Sequence, residues 1–191
     1  MEHEAVLDQF RRLGALLEGH FKLSSGLHSP AYLQCALVLQ HPAEAERLGR
    51  ALAAKLGAVH ATAVLSPALG GLIIGHEVAR ALGVKAIFAE RADGVLTLRR
   101  GFDLAAGDRV VVVEDVVTTG GSTRETMDVA RARGAAVVAA ASVINRSGSP
   151  SPVDVPFAAL AEITPPTWQP DACPLCARGV AVTKPGSRPG M

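Results

Sequence analysis

One stretch of the sequence indicates the fold class more strongly than any other: Val110-Val111-Val112-Val113-Glu114-Asp115-Val116-Val117-Thr118-Thr119-Gly120-Gly121-Ser122-Thr123. Its four consecutive valines predict a strand that is buried on both faces of a parallel sheet. A turn of small residues follows, and a helix is predicted over residues 122–133. Backbone N–H groups and hydroxyls converge where such a turn meets a helix N-terminus, and the helix dipole favours negative charge there. The stretch therefore predicts an α/β fold with a phosphate-binding turn.

Glu114 and Asp115 restrict the ligand that this turn can bind. Carboxylates repel a phosphate unless they meet hydroxyl groups or a hard cation carried by the same ligand. A ribose 5-phosphate satisfies this condition, with its phosphate on the turn, its diol on the carboxylates and Mg²⁺ nearby on oxygen ligands and waters. The chain contains neither G-x-x-x-x-G-K-[ST] nor a G-x-G-x-x-G after a strand, so the usual nucleotide fingerprints are absent. A plain glycine-rich turn with solvated acids would explain each residue but not their order.

This order of residues resembles the phosphoribosyl pyrophosphate (PRPP) signature of type I phosphoribosyltransferases. The resemblance implies a doubly wound, mostly parallel sheet under a small hood that binds the base. It also implies that Glu114 and Asp115 bind the ribose hydroxyls and act in catalysis, and that Mg²⁺ accompanies PRPP. The other PRPP-binding residues implied by this segment are Val116, Val117, Thr118, Thr119, Gly120, Gly121 and Ser122.

A second strand is predicted to run into a tight turn at Ala68-Leu69-Gly70-Gly71, just before a helix over residues 71–82. The two glycines would let backbone amides approach a ligand closely. In the family that the signature resembles, a loop at this point contacts the pyrophosphate of PRPP and often has an unusual peptide geometry. A turn that merely needs a positive φ is the alternative for this segment taken alone.

The base is indicated by the N-terminal stretch Phe21-Lys22-Leu23-Ser24-Ser25-Gly26-Leu27-His28-Ser29-Pro30-Ala31-Tyr32. It resembles a stretch of orotate phosphoribosyltransferases in which Ser25, Gly26, Ser29 and Tyr32 match. Arg146, one strand after the signature, is similar to the family residue that holds orotate, and a guanidinium can form a charge-assisted fork with a carboxylate. The orotate-binding residues implied by the resemblance are Ser25, Gly26, Tyr32, Thr118 and Arg146.

Two positions depart from the family pattern. Ser24 stands where many orotate enzymes carry Lys, and the region 89–102, which corresponds to the mobile catalytic loop, has no Lys and no His. Arg91, Arg99 and Arg100 are the cations left to neutralise departing pyrophosphate, and we predict Arg91 as catalytic. The resemblance implies a homodimer with shared active sites, so that these arginines could reach a neighbour's site. A hairpin with surface arginines is the alternative for Arg99 and Arg100.

The tail carries Cys173-Pro174-Leu175-Cys176 and, further on, Lys184-Pro185-Gly186-Ser187-Arg188, which resembles the C-terminus of a bacterial subgroup of orotate enzymes. C-x-x-C suggests a zinc knuckle, but structural Zn²⁺ usually has four protein ligands. Cys35 is the only other thiol, so a site would need histidines from elsewhere or a second subunit. Thiols that simply pack the tail are an equal alternative, and metal binding by this pair stays open.

Composition agrees with one α/β domain: 191 residues, 49% hydrophobic, with a net charge of +1. The near-neutral charge predicts no nucleic-acid partner, the lack of a long apolar run predicts no membrane span, and the acidic N-terminus without a signal pattern predicts a cytoplasmic protein. We expect a core over residues 41–163 and a hood from residues 1–40 and the tail after about 164. The predicted helices are 4–18, 42–56, 71–82 and 122–133, and the predicted strands are 61–65, 84–89, 95–100, 109–114 and 136–144, with one more apolar run at 157–163.

These features predict an enzyme that transfers the phosphoribosyl group of PRPP to orotate. A phosphoribosyltransferase for another base, such as a purine, is one alternative, although the N-terminal stretch fits the orotate pattern. A non-catalytic regulator that senses PRPP is the other, and only the missing loop cations favour it. Near-neutral charge and the lack of a spare domain argue against a nucleic-acid-binding regulator.

Overall fold

The computed structural model describes residues 1–23 and 25–185, so the predictions for Ser24, Ser187 and Arg188 lie outside the described residues. The strands are β1 (Leu16–Lys22), β2 (His28–Leu33), β3 (Ala63–Pro67), β4 (Lys85–Ala92), β5 (Val95–Leu98), β6 (Arg109–Val117), β7 (Ala136–Asn145) and β8 (Phe157–Glu162). The α-helices are α1 (His3–Arg12), α2 (Ala36–Leu39), α3 (Pro42–Leu56), α4 (Gly71–Leu82), α5 (Gly121–Ala132) and α6 (Pro174–Ala177).

A six-stranded sheet forms the centre, in the order β5-β4-β3-β6-β7-β8. All neighbouring strands are parallel except β4 and β5, which form an antiparallel hairpin at one edge. From β3 the chain moves outward through β4 to one side, and from β6 it moves through β7 to the other. The carboxyl ends of β3 and β6 therefore meet at a topological switch point, where open α/β sheets bind their ligands.

The valines of β6 are buried because helices cover both faces of the sheet. Val111 and Val113 point into a core that includes Leu48 of α3 and Ile74 of α4. Val110 and Val112 point into a second core on the other face, which contains Met127 of α5. The prediction of a doubly wound, mostly parallel α/β sheet is thereby confirmed.

A separate two-stranded antiparallel sheet, formed by β1 and β2 and here called the hairpin, lies outside the central sheet. The tail, residues 164–185, pairs with it at two isolated bridges, Phe21 with Thr183 and His28 with Trp168. No helix in the described part of the chain is long and apolar enough to span a membrane.

The predicted helix over residues 4–18 is wrong in its second half. Helix α1 ends at Arg12, Gly14 adopts a φ of 67°, and β1 begins at Leu16. Leu16 is buried while Leu17 is 38% exposed, which is the alternation of a strand. The apolar spacing of Leu13, Leu16 and Leu17 fits the period of a helix as well as that of a strand, so Gly14 and the pairing with β2 decide the structure.

The other predicted elements are present, with small shifts at their ends. Helices α3 and α4 have the predicted bounds, since Pro42 begins the first and Gly83, with a φ of 70°, follows the second. The strand predicted at 95–100 ends at Leu98. The strand predicted at 109–114 extends to Val117, so that Asp115 lies within the strand instead of after it.

Candidate functional site at the switch point

Two strand–turn–helix units meet at the switch point. In one, β6 leads through Thr118, Thr119 and Gly120 into α5, and in the other β3 leads through residues 68–70 into α4. Gly120 is the N-cap residue of α5 and provides no side-chain cap for the first turn. The N–H of Gly121 donates to Oγ1 of Thr119 at 3.4 Å, and the other amides of that turn are available to an anion.

Gly120 is required by its surroundings as well as by its backbone. Its φ is 75°, and a Cβ atom at this position would lie 2.8 Å from Nη1 of Arg124 and 3.0 Å from the carbonyl oxygen of Pro152. Arg124 also donates a hydrogen bond from Nη2 to the carbonyl oxygen of Thr119, at 2.8 Å. These contacts hold the turn in a shape that a residue with a side chain would disturb.

Glu114 and Asp115 are adjacent in β6, so their side chains point to opposite faces of the sheet. Glu114 points toward α5, where its Oε2 accepts a hydrogen bond from Oγ1 of Thr123 at 2.5 Å. Burial raises the pKa of Glu114 from 4.5 to about 7, the Thr123 hydrogen bond opposes this rise, and the neighbouring Asp115 adds to it. Glu114 is therefore poised between its two protonation states near neutral pH.

Asp115 points toward the turn before α4. A Cβ atom added to Gly70 would lie 2.6 Å from Oδ1 of Asp115, so only glycine leaves room for the carboxylate. Burial also raises the pKa of Asp115, while hydrogen bonds from the backbone N–H groups of Val116 and Asp115 itself oppose the rise. No salt bridge to either carboxylate is found among residues 1–23 and 25–185.

The turn between β3 and α4 contains a cis peptide bond between Ala68 and Leu69. The N–H of Ala68 donates to the carbonyl oxygen of Ala89 at 2.7 Å, and Leu69 is 82% exposed. A Cβ atom on Gly71 would lie 2.9 Å from the carbonyl oxygen of Val113, which explains the second glycine. The four predicted residues of this turn thus lie beside Asp115, at the edge of the sheet where β6 ends.

Arg146 follows β7, and its N–H donates to the carbonyl oxygen of Val117 at 2.7 Å. It lies half-buried at the same sheet edge as Thr118, and burial lowers the pKa of its guanidinium. The thiol of Cys35, which follows β2, lies 3.8 Å from the carbonyl oxygen of Asp115. Burial is the main cause that raises the pKa of Cys35 well above its ordinary value, and the charge of Asp115 raises it further.

Sequence reasoning missed Cys35 and Thr123 as neighbours of the acids. Thr123 could have been found, because it follows the signature turn by one residue and a hydroxyl in the first turn of a helix can reach back to the preceding strand. Cys35 carries no local signal, since it is 80 residues from Asp115 in sequence.

The hairpin residues predicted to bind the base are not joined to this sheet edge by hydrogen bonds in the described part of the chain. Ser25 and Gly26 lie in the turn between β1 and β2, whose hydrogen bonds are internal: Leu23 N–H to Leu27 O at 2.8 Å and Gly26 N–H to Leu23 O at 2.9 Å. Tyr32 packs against Phe21 with a ring-centroid distance of 5.9 Å.

Arg91 lies on the β4–β5 hairpin and faces the outer side of α5. Its guanidinium donates to the carbonyl oxygen of Gly94 at 2.6 Å and forms an ion pair with Glu125 at 2.8 Å, with both side chains about half exposed. Arg100 pairs with Glu90 at 3.0 Å and lies over the ring of Phe88. In the described part of the chain, these arginines are therefore paired with Glu125 and Glu90 and make no salt bridge to Glu114 or Asp115.

The arrangement is suited to an anionic ligand that also carries hydroxyl groups. The uncapped turn of α5 supplies backbone donors, and the two half-buried carboxylates supply acceptors on either side of β6. Thr118 and Thr119 are exposed and present their hydroxyls at the same edge.

Comparison with known proteins identifies a family and several relatives. A model of the phosphoribosyl transferase domain family matches residues 36–175. A protein of Carboxydothermus hydrogenoformans named orotate phosphoribosyltransferase is 57% identical over 176 residues, covering 91% of this chain and 92% of the relative. One of the same name from Heliobacterium modesticaldum is 53% identical over 190 residues, covering 98% and 100%. The crystal structure of orotate phosphoribosyltransferase from Aeropyrum pernix matches with a TM-score of 0.70 at 26% identity, covering 83% of this chain and 93% of that one.

Proposed function

The chain belongs to the phosphoribosyl transferase family, and we propose that it transfers the 5-phosphoribosyl group of PRPP to orotate, giving orotidine 5′-monophosphate and pyrophosphate. This reaction is a step of pyrimidine biosynthesis. The observation that carries the proposal is the identity of 57% and 53%, over nearly the whole chain, to two proteins named orotate phosphoribosyltransferase. The switch-point geometry supports it independently, because an uncapped helix turn beside two carboxylates suits a phosphorylated ribose.

In this proposal the 5-phosphate binds the turn before α5. Its donors are the amides and hydroxyls of Thr118, Thr119, Gly120, Gly121 and Ser122, with Val116 and Val117 leading into the site. The ribose hydroxyls donate to Glu114 and Asp115. The pyrophosphate lies against the turn Ala68-Leu69-Gly70-Gly71, where Gly70 leaves space beside Asp115.

The residues present fit Mg²⁺ bound together with PRPP. Carboxylate and hydroxyl oxygens are the ligands of this hard cation, and the two carboxylates are partly desolvated with no cationic partner in the described part of the chain. Mg²⁺, when bound, supplies positive charge that neutralises the departing pyrophosphate. Glu114 and Asp115 are the protein groups that would hold it, through PRPP and waters.

The protein contributes to the reaction by alignment and charge. Bond breaking at C1 of ribose builds positive charge on the sugar as pyrophosphate leaves, while a ring nitrogen of orotate approaches from the opposite face. The carboxylates of Glu114 and Asp115 stabilise that positive charge and hold the ribose in position. Glu114, with a pKa of about 7, is partly ionised at neutral pH and in that form accepts a hydrogen bond from a ribose hydroxyl.

Orotate is anionic and planar, so its site needs a cation and several donors. Arg146 supplies the guanidinium at the sheet edge, next to Thr118, and Ser25, Gly26 and Tyr32 of the hairpin complete the proposed site. We place the protein in the cytoplasm, since PRPP and orotate are charged metabolites that do not cross membranes unaided.

We further propose a homodimer in which Arg91 serves the neighbouring subunit's site. What supports this is that its guanidinium is paired with Glu125 and makes no salt bridge to Glu114 or Asp115 in the described part of the chain. A second subunit would bring such a group over the pyrophosphate.

The deciding experiment measures orotate consumption by its ultraviolet absorbance with PRPP and Mg²⁺, using adenine, hypoxanthine and uracil as competing bases. We expect turnover of orotate alone, and a loss of at least about 10²-fold in kcat/KM for Asp115→Asn, because a carboxylate that stabilises the transition state becomes a neutral amide. Asp128→Asn is the matched control, since Asp128 is exposed on α5, and its ion pair among residues 1–23 and 25–185 is with Arg131.

Other outcomes would change the conclusion in different ways. Turnover of a purine or of uracil in place of orotate would support the assignment of the PRPP site and contradict the assignment of orotate as the base. PRPP binding without turnover of any base would favour a PRPP-sensing regulator.

A further inference from the structure

Two of the three cysteines and two of the six histidines in the chain meet at one point between the hairpin and the tail. His20 belongs to β1 and His28 to β2, while in the tail Cys173 is the N-cap residue of α6 and Cys176 lies within that helix. One potential ligand atom from each residue lies within 4.8 Å of all the others. The four residues take no part in the proposed transfer reaction, and their two segments are about 150 residues apart in sequence.

We propose that His20, His28, Cys173 and Cys176 bind one structural Zn²⁺ ion, which fastens the tail to the hairpin. Two nitrogens and two thiols are a ligand set that Zn²⁺ takes in closed structural sites. The set also supplies the two histidines that the C-x-x-C motif alone lacks.

The distances between ligand atoms fit a tetrahedron around zinc. Bond lengths of about 2.3 Å to sulfur and about 2.0 Å to nitrogen imply N–S edges of about 3.5 Å. The observed separations are 3.5 Å from Cys173 Sγ to His20 Nε2, 3.7 Å from Cys176 Sγ to His20 Nε2 and 3.3 Å from Cys176 Sγ to His28 Nδ1. His20 Nε2 and His28 Nδ1 are 2.8 Å apart, so this one edge must open by about half an ångström to admit the ion.

The second nitrogen of His20 is already held as in a metal site. Nδ1 of His20 lies 2.7 Å from the carbonyl oxygen of Val180, which can only accept a hydrogen bond. Nδ1 therefore carries the proton, and Nε2 presents its lone pair to the cluster. Binding of the ion then requires His28 to move its proton from Nδ1 to Nε2 and both thiols to release theirs.

Charge and burial favour a cation at this point. His28 is 5% exposed and Cys173 is 3% exposed, so an ion held by these side chains would be shielded from water. Two thiolates side by side repel each other, and a divalent cation removes that repulsion. Cys173 is buried while Cys176 is exposed, so the ion has a path from solvent.

Backbone hydrogen bonds bring the tail to both edges of the hairpin around the cluster. On one edge Lys22 N–H donates to Thr183 O at 2.9 Å and Thr183 N–H donates to His20 O at 2.8 Å. On the other, His28 and Trp168 exchange two bonds of 2.8 and 2.9 Å. The metal would close this loop at its centre and fix the turn that contains Ser25 and Gly26, which lies between the two histidines in sequence.

The first test is the metal content of the full chain, expressed with supplemental zinc, passed over a desalting column and measured by elemental mass spectrometry. We expect about one zinc per chain, and less than about a tenth in Cys173→Ser/Cys176→Ser and in His28→Ala, because a site with two or three remaining ligands binds weakly. Cys35→Ser and His41→Ala are the matched controls, since neither residue belongs to the cluster, and both should keep their zinc.

The second test uses the wild-type chain, so that it holds even if the cysteine variant does not fold. Co²⁺ added to protein stripped by a chelator should give the intense visible absorption of a tetrahedral thiolate site, and Zn²⁺ should abolish it. The chelator should lower the midpoint of thermal unfolding, and added Zn²⁺ should restore it. Retention of zinc by the double cysteine variant, metal-free protein with a Cys173–Cys176 disulfide, or no cobalt spectrum would each overturn the proposal.

Discussion

At the scale of single residues, Glu114 combines burial with a charge that its surroundings do not neutralise. Its pKa of about 7 in the folded protein lies above the ordinary 4.5, so the folded state keeps a proton that the unfolded state releases between these values. This group therefore contributes stability below pH 4.5 and loses that contribution as the pH rises through 7. The loss is on the order of 3 kcal/mol.

Replacing Glu114 with glutamine removes the ionisation while keeping an acceptor for Thr123. We expect Glu114→Gln to raise the free energy of unfolding relative to wild type at pH 8, by about 1–3 kcal/mol, and to change it little at pH 4.5. Urea denaturation at the two pH values measures the difference, with the exposed Glu125→Gln as the matched control. An equal effect at both pH values would contradict the assigned pKa.

Gly70 is a residue whose missing side chain creates space for a functional group. A Cβ atom would meet Asp115 at 2.6 Å, so Gly70→Ala should displace that carboxylate and raise KM for PRPP about tenfold or more, with little change in stability because the turn is exposed. Gly75→Ala is the contrasting variant. Its Cβ atom would lie 1.9 Å from Oγ of buried Ser66, so it should lower the midpoint of thermal unfolding instead. Unchanged PRPP kinetics in Gly70→Ala would show that the Asp115 carboxylate can shift without any loss of PRPP binding.

At the scale of elements, Arg91 lies on the β4–β5 hairpin, within the region 89–102 that the sequence resemblance likens to a mobile catalytic loop. Asp93 and Gly94 both have positive φ, at 52° and 83°, which is the geometry of a two-residue type I′ turn. Arg91 is therefore carried by a paired strand, and its exposed pair with Glu125 should contribute less than about 1 kcal/mol to stability.

If Arg91 acts in catalysis and Glu125 only pairs with it, replacing each residue should have a different effect. Arg91→Ala should lower kcat for phosphoribosyl transfer by at least about tenfold, because a cation that meets departing pyrophosphate is lost. Glu125→Ala should leave kcat the same or raise it, since it frees the guanidinium. Steady-state kinetics and thermal unfolding of both variants separate the roles, and equal losses of activity in the two would indicate that the ion pair itself is what matters.

The elements also show how far the sequence determines the structure. Helices with clear ends, such as α3 after His41 and α4 before Gly83, could be predicted because proline and glycine restrict the backbone at those points. The anion turn could be predicted for the same local reason. Strand β1 could not, since its apolar spacing also fits a helix and its partner β2 is the deciding contact.

Two of the contacts that sequence reasoning missed join distant segments. Cys35 reaches Asp115 across 80 residues, and His20 reaches Cys173 across 153. Neither pair leaves a local pattern, because a parallel sheet and a docked tail bring together residues whose order along the chain carries no trace of the contact. C-x-x-C was visible, whereas its two histidines were not.

At the scale of the whole molecule, the residues of the proposed site belong to parts of the chain that are far apart in sequence. The sheet edge carries the phosphate turn, both acids and Arg146, the hairpin of β1 and β2 carries the other proposed base contacts, and Arg91 belongs to the β4–β5 hairpin. A homodimer with shared sites would bring these parts together, because a two-fold interface places the β4–β5 hairpin of each subunit against its partner. Size-exclusion chromatography with light scattering should therefore give twice the mass of one chain.

Complementation between inactive subunits tests the sharing directly. A heterodimer of an Asp115→Asn chain and an Arg91→Ala chain, purified through two different tags, has one site with both defects and one with neither if Arg91 acts across the interface. We expect it to recover about half of the wild-type activity per dimer. The control heterodimer pairs Asp115→Asn with Glu114→Gln, whose residues belong to one subunit's site, and every site in it retains one defect. If the first heterodimer is no more active than this control, Arg91 acts in the site of its own subunit.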